Sequence, residues 1–161
     1  MTNILAKIIK QKKLEIAALE PPALRRTADS APAPRDFLSA IQRRRFGTHP
    51  SLIAELKRAS PSKGILAPHL DLFQVADIYT QNGAAAISVL TDEKFFMGKL
   101  ETLRELRQNQ LPITNHQLPL LRKDFTIDET QIYEARANGA DAILLIAAAL
   151  TDDKHFADLH A

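Results

Sequence analysis

The chain has 161 residues, of which 45% are hydrophobic and 25% charged, and a formal net charge of +2, a composition typical of one globular domain with a sizeable core. The absence of cysteine excludes disulfides, thiolate metal sites and a thiol nucleophile. The small positive charge does not indicate nucleic acid or a membrane as a partner. The longest apolar run, at positions 142–150, is too short to cross a bilayer. Because the first residues lack the pattern of a signal peptide, we expect a cytoplasmic protein.

The first fifty residues predict two helices joined by a linker. Isoleucine and leucine recur at helical spacing over residues 3–19 and predict an amphipathic helix. Residues 20–36 are rich in proline and alanine without periodicity and predict a loop or mobile linker. A short helix is predicted over residues 35–45, and its basic end at 43–45 is more typical of a solvated helix end than of a phosphate site. Its apolar side chains are expected to be buried: Phe37, Leu38 and Ile41.

From residue 51 onward, strand and helix patterns alternate four times. The strands are predicted at residues 51–57, 85–91, 118–125 and 141–148. The helices are predicted at residues 72–82, 99–108 and 128–138 and from residue 151. The strands are nearly continuous apolar runs, as parallel strands covered on both faces are, and Gly83 and Gly139 end two of the helices.

Four such units fit either a small doubly wound sheet or half of an eight-unit barrel. The missing glycine-rich loop after the first strand weakens a nucleotide-binding doubly wound fold, but composition leaves the choice open.

Charged side chains stand at the ends of the first and third predicted strands. Strand alternation puts Glu55 and Lys57 on one face, and Lys123 ends the third strand. Active sites of such folds lie at the carboxyl ends of the strands, so we expect these three groups to converge there. A lysine close to another cation can become a general acid, and two ammonium groups suit an anionic substrate. A structural ion pair between Glu55 and Lys57 is the alternative.

The loops after the first two strands supply further candidates. The segment "ASPSKG" is small and polar and could close over a ligand. The segment "TDEKFFMG" sets Phe95 and Phe96 beside charge, as an aromatic wall or, equally well, as core packing. The five histidines, at positions 49, 69, 116, 155 and 160, show no ligand spacing, so no metal site is expected.

Three segments together resemble the indole-3-glycerol phosphate synthase family: "IAELKRASPSKG", "SVLTDEKFFMG" and "LLRKDFTIDETQIYEARANGADAILLI". The resemblance also includes the preceding amphipathic helices and extends to about Leu150. It implies a (β/α)₈ TIM barrel, with residues 1–50 as an N-terminal helical extension and linker and residues 51–161 as the first half of the barrel. It further implies a lyase of tryptophan biosynthesis that uses no metal or organic cofactor.

The family's substrate is 1-(2-carboxyphenylamino)-1-deoxyribulose 5-phosphate, and its products are indole-3-glycerol phosphate, carbon dioxide and water. Matched by motif, Lys123 corresponds to the general acid toward the substrate carbonyl. Lys57 corresponds to the lysine that engages the anionic groups and assists as a proton donor, and Glu55 to the glutamate that organises both lysines. The resemblance also implies substrate-binding positions, at the mouth of the site and around the anthranilate ring: Ser60, Pro61, Phe96, Phe125 and Leu144.

The sequence departs from the family pattern in two places. Residues 113–119 form an extra segment that offers two starts for the third strand, "LPI" and "LPL", and the second keeps Lys123 in register. The sequence also stops after the fourth unit, without the family's second-half general-base glutamate, its Asn–Ser pair and the phosphate loops of strands 7 and 8.

We therefore expect a truncated chain, a split gene or a degenerate copy that is inactive alone. Its expected partners are a small phosphorylated substrate and either the missing C-terminal half or a second copy bound through open sheet edges. A non-catalytic half-barrel that serves as a binding or assembly module is the alternative.

Overall fold

A parallel sheet with helices packed on its outer face organises this computed structural model, which describes residues 4–42, 50–109 and 118–160. The N-terminal helices are α1 (Ile4–Ala17), α2 (Pro21–Ser30) and α3 (Phe37–Gln42). There follow β1 (Ile53–Leu56), β2 (Ala59–Ser60), β3 (Gly64–Ile65), α4 (Leu72–Gln81), β4 (Ala86–Leu90), α5 (Glu93–Phe96) and α6 (Leu100–Asn109). The remaining elements are β5 (Leu120–Lys123), α7 (Glu129–Ala137), β6 (Ala142–Ile143), a 3₁₀ turn (Ala147–Ala149) and α8 (Asp153–His160).

The sheet order is β1-β4-β5-β6, and every neighbouring pair is parallel. The strands therefore lie side by side in the order in which they occur along the chain. A doubly wound sheet would reverse direction at a switch point, whereas consecutive order is what a (β/α)₈ barrel requires. The topology thus resolves the choice that composition left open.

The core lies between the outer face of this sheet and the helices that return along it. Leu56, Ile87 and Leu120 on the strands meet Leu103 and Leu106 of α6 in one buried cluster. The alternation predicted for the first strand is confirmed at Ala54 and Leu56, which are buried. It fails at Leu52, which lies before β1 and is 59% exposed. On the other face, Glu55, Ser88, Leu121 and Ala142 form one row across the sheet.

The N-terminal residues contain more helix than the sequence predicted. Residues 20–36 were predicted to form a linker, which is wrong, because α2 occupies Pro21–Ser30. Proline is compatible with the first helical turn, where the backbone N–H has no partner within the helix. The helix packs on α7, and the guanidinium of Arg25 lies 5.4 Å from the centroid of the Tyr133 ring.

The third helix confirms the predicted position but not the predicted burial. Leu38 is 60% exposed, and Phe37 and Ile41 are only half-buried, since α3 lies at the surface. The arginines at 43–45 lie outside the described residues.

The boundaries of the strand–helix units follow the sequence signals, with one exception. Gly83 and Gly139 end α4 and α7 with left-handed backbones, at φ 86° and 87°. The "LPL" start of the third strand is confirmed, because β5 begins just after Pro119, whereas residues 110–117 lie outside the described ranges. The fourth strand was predicted over residues 141–148, but β6 has only two residues, and a 3₁₀ turn occupies the end of the predicted range.

The buried carboxylate of Asp141 fastens the N-terminal segment to the start of the sheet. Its Oδ1 accepts hydrogen bonds from the backbone N–H of Arg35 at 2.7 Å and from Nη1 of Arg107 at 2.9 Å. Its Oδ2 accepts a hydrogen bond from the backbone N–H of Leu120 at 2.8 Å. Arg35 also donates to the carbonyl of Leu118 at 2.6 Å. Burial and the charge of Arg107 lower the pKa of Arg35 to about 10, although the charge of Asp141 acts in the opposite direction. Arg35 therefore stays protonated at neutral pH.

Replacing Asp141 with alanine is expected to destabilise the protein by about 3 kcal/mol or more, because the Arg107 guanidinium and the backbone N–H groups of Arg35 and Leu120 lose their acceptor together. Urea unfolding followed by circular dichroism measures the change. The matched control is Asp77→Ala, at an exposed carboxylate on α4, which should shift stability by no more than about 0.5 kcal/mol. Equal midpoints for the two variants would contradict this role for Asp141.

Candidate active site

One carboxylate and two ammonium groups meet on the inner face of the sheet. Glu55 on β1 contacts Nζ of Lys57 through Oε1 at 2.8 Å and Nζ of Lys123 through Oε2 at 2.5 Å. Because β4 lies between β1 and β5, this contact spans three strands. The predicted convergence of Glu55, Lys57 and Lys123 is confirmed.

The charges in this group stabilise each other while remaining accessible. Burial tends to raise the pKa of the Glu55 carboxyl, but the hydrogen bonds and charges of Lys123 and Lys57 outweigh it and hold the pKa below its ordinary value. Glu55 is therefore a carboxylate at neutral pH. The side chains of Lys57 and Lys123 are 36% and 38% exposed, so both ammonium groups can reach a ligand beyond Glu55.

A cavity of about 520 Å³ opens beside Lys57. The cavity is mostly apolar, and Phe96 and Phe125 line it with their ring centroids 6.1 Å apart. Its lining residues are Ile4, Leu5, Ile8, Lys57, Ser60, Pro61, Ser62, Lys63, Leu66, Phe96 and Phe125. Four of the five positions predicted around the substrate thus share one cavity. The fifth, Leu144, follows β6, is half-buried and is not among the residues that line it.

The loop predicted to close over a ligand forms a small hairpin at the mouth of this cavity. Strands β2 and β3 pair antiparallel, and the backbone N–H of Lys63 donates to Oγ of Ser60 at 3.3 Å. Gly64 turns the chain with φ 64°. The carbonyl of Arg58 accepts the N–H of Leu66 at 2.8 Å, which ties the end of the hairpin back to its start.

The short helix α5 fixes the position of Phe96. Asp92 caps the helix by accepting the N–H of Phe95 at 2.7 Å, and Met97 ends it with a left-handed backbone at φ 55°. Gly98 then donates its N–H to the Asp92 carbonyl at 2.8 Å. A Cβ on Gly98 would lie 2.4 Å from the carbonyl oxygen of Leu90, so this tight return of the chain requires glycine.

Two features of the site were missed from the sequence. The first is the wall that α1 contributes through Ile4, Leu5 and Ile8. The second is Lys12, one turn beyond Ile8, which is 3% exposed. The sequence did contain a signal for this residue, because a lysine lies on the apolar stripe of the helix between Ile8 and Ile16.

Lys12 is surrounded by three carboxylates. Its Nζ lies 2.8 Å from Oδ1 of Asp124, 2.9 Å from Oδ2 of Asp92 and 2.9 Å from Oε2 of Glu15. Burial tends to lower the pKa of Lys12, but the charge of Asp124 and the hydrogen bonds to all three carboxylates raise it above its ordinary value. Burial likewise tends to raise the pKa of Asp124, and the charges of Arg122 and Lys12 reverse that shift. Lys12 and Asp124 are therefore both charged at neutral pH.

Within the three described ranges, no group of three or more His, Asp or Glu side chains is arranged to hold a metal ion. His49 and His116 lie outside those ranges. No helix in the described part of the chain is long and apolar enough to span a membrane.

Comparison with known proteins shows which family the chain resembles in sequence. The model of the indole-3-glycerol phosphate synthase family matches residues 5–161. Among curated proteins, an indole-3-glycerol phosphate synthase of Chloroherpeton thalassium is 47% identical over 92% of this chain and 56% of its own length. That of Dechloromonas aromatica is 49% identical over 94% of this chain and 57% of its own length.

A third relative, from Desulforamulus reducens, carries the same name and is 49% identical over 92% of this chain and 54% of its own length. The chain thus spans a little over half the length of the curated relatives that it matches. The consecutive parallel strands agree with the TIM barrel of that family. With a match over nearly all its residues, the chain belongs to the indole-3-glycerol phosphate synthase family.

Proposed function

We propose that this chain provides the proton-donating part of an indole-3-glycerol phosphate synthase active site. The observation that carries the proposal is the Glu55 carboxylate held between two ammonium groups from separate strands, beside an apolar cavity with two phenylalanines. The reaction is the ring closure of 1-(2-carboxyphenylamino)-1-deoxyribulose 5-phosphate with loss of carbon dioxide and water.

The chemistry of that conversion requires proton donors. A bond must form between an aromatic ring carbon and the ketone carbon, and the ketone oxygen must finally leave as water. Negative charge develops on that oxygen as the bond forms, so a positioned ammonium group lowers the barrier by protonating it. Lys123 takes this role, and Lys57 binds the anionic groups of the substrate and assists as a second donor. Glu55 orients both ammonium groups and balances their charge.

The cavity provides the complementary apolar contact. Phe96 and Phe125 form a surface suited to the anthranilate ring, and Ser60 and Pro61 border the mouth. The contact of Leu144 with that ring stays a prediction.

The domain organisation belongs to the same proposal. Residues 1–50 serve as an N-terminal extension, and residues 51–161 as the first half of a barrel, which the consecutive order of β1, β4, β5 and β6 supports. The second half of a barrel is the partner that this arrangement suits, because it would pair with the two edge strands β1 and β6.

The direct test is an assay for indole-3-glycerol phosphate by its indole fluorescence. We expect no turnover from the 161-residue chain alone. Turnover is expected when the chain is co-purified with the part of the Chloroherpeton thalassium relative that follows the matched region. A complex that forms but produces no indole-3-glycerol phosphate would contradict the proposed reaction and favour a binding or assembly module. Robust turnover by the chain alone would contradict the need for a second half.

Lys123→Ala in this complex is expected to lower kcat by about 10²–10⁴-fold, since a positioned general acid is lost, with substrate affinity retained within about tenfold. Steady-state kinetics with the substrate measures both quantities. Lys154→Ala, at an exposed lysine of α8, is the control and should leave kcat unchanged. Near-normal turnover in Lys123→Ala would remove Lys123 from the chemical step.

The charge of Glu55 should stabilise the fold in a pH-dependent way. Because its folded pKa lies below the ordinary value of 4.5, its contribution is complete above about pH 4.5 and is lost as the pH falls through the folded pKa. We expect the difference in urea midpoint between wild type and Glu55→Gln to be constant from pH 7 to about 5 and to shrink below that. A difference that grows on acidification would have the wrong sign for this ion pair.

A further inference from the structure

Two carboxylates hold the backbone at or next to the two phenylalanines of the cavity, Phe96 and Phe125. Oδ1 of Asp92 accepts the N–H of Phe95 at the start of α5, the helix that carries Phe96. Oδ1 of Asp124 accepts the N–H of Phe125 at 2.8 Å. Both carboxylates lie just beyond strands of the sheet, and both are almost fully buried.

A single ammonium group joins these two carboxylates. Nζ of Lys12 lies 2.9 Å from Oδ2 of Asp92 and 2.8 Å from Oδ1 of Asp124. The side chain of Lys12 is 4% exposed, so water does not screen these contacts. The ammonium also donates a hydrogen bond to Oε2 of Glu15 on the same helix, at 2.9 Å. One oxygen from each of three carboxylates thus lies within 2.9 Å of Nζ of Lys12.

The helix that carries Lys12 is also a wall of the cavity. Ile8 lies one turn before Lys12, on the same side of α1, and Ile4 and Leu5 extend that wall. Contacts of Lys12 therefore connect three of the apolar surfaces of the cavity: α1, the helix α5 that carries Phe96, and Phe125.

From this connection we infer that Lys12 is the positioning residue of the cavity, setting the distance between α1 and the two phenylalanines. This inference rests on the proposed function, which identifies the ring that binds in the cavity as the anthranilate ring of the substrate. Lys12 itself touches neither the cavity nor Glu55, so its effect on substrate passes through the residues that it holds.

The test compares Lys12→Met with Lys13→Met in the co-purified complex described above. Methionine keeps the length and apolar stem of Lys12 but removes its charge, and Lys13 is an exposed neighbour on the same helix. We expect Lys12→Met to raise KM at least tenfold with kcat lowered less than threefold, because the ring site is loosened while Glu55, Lys57 and Lys123 keep their own contacts. A purely structural role would reduce the amount of active protein, and with it the apparent kcat, at an unchanged KM.

A second variant covers the case in which Lys12→Met does not fold. Asp92→Asn keeps an oxygen that can cap α5 but removes the charge that faces Lys12. It should raise KM in the same direction, about threefold or more. An unchanged KM in whichever of these variants fold would overturn the inference.

Hydrogen exchange without any ligand separates this inference from the proposed function. In Lys12→Met, or in Asp92→Asn if Lys12→Met does not fold, the amides of Phe95 and Phe125 should exchange at least tenfold faster than in Lys13→Met. If wild type forms no indole-3-glycerol phosphate, the proposed reaction fails and these two amides alone decide the role of Lys12. Equal exchange in the compared variants would overturn it.

Discussion

Charges that leave water must be paired, and at the carboxyl edge of this sheet that requirement joins segments that lie far apart in the chain. Glu55 on the first strand meets Lys123 on the third strand of the sheet, and Lys12 on the first helix meets carboxylates after the second and third. Each pair forms only when the strands are in register, because a slip by one residue would turn the charge to the opposite face. The ion pairs and the barrel geometry therefore specify each other.

The two clusters differ in exposure, and that difference separates their roles. The side chains of Glu55, Lys57 and Lys123 are 27% to 38% exposed, so a ligand can reach their polar atoms. In the other cluster, the side chains of Lys12, Asp92 and Asp124 are at most 4% exposed, and Lys12 forms ion pairs with both carboxylates. The first group of charges is therefore open to a ligand, whereas the second lies in the interior.

Most of the strand–helix units could be predicted, because apolar runs and glycines at helix ends are local signals. The position of Lys123 at the end of its strand could also be predicted, because a strand that starts at "LPL" keeps Lys123 in register. The helix α2 was missed because its two prolines look like linker residues, although at a first turn they cost nothing. The partners of Lys12 could not be predicted, since they depend on how α1 crosses the sheet. The surface position of Leu38 was missed for the same reason: local pattern does not say what packs on α3.

The fastening of Arg35 to Asp141 has a consequence for synthesis of the chain, since these partners are separated by 106 residues. At about 5–20 residues per second, Asp141 is made on the order of 5–20 s after Arg35. Helices as short as α1 and α2, with 14 and 10 residues, are marginal on their own in water. The segment that contains α1 and α2 is therefore made well before the residues that complete its native contacts. Until then its isoleucines are available to chaperones and to neighbouring nascent chains.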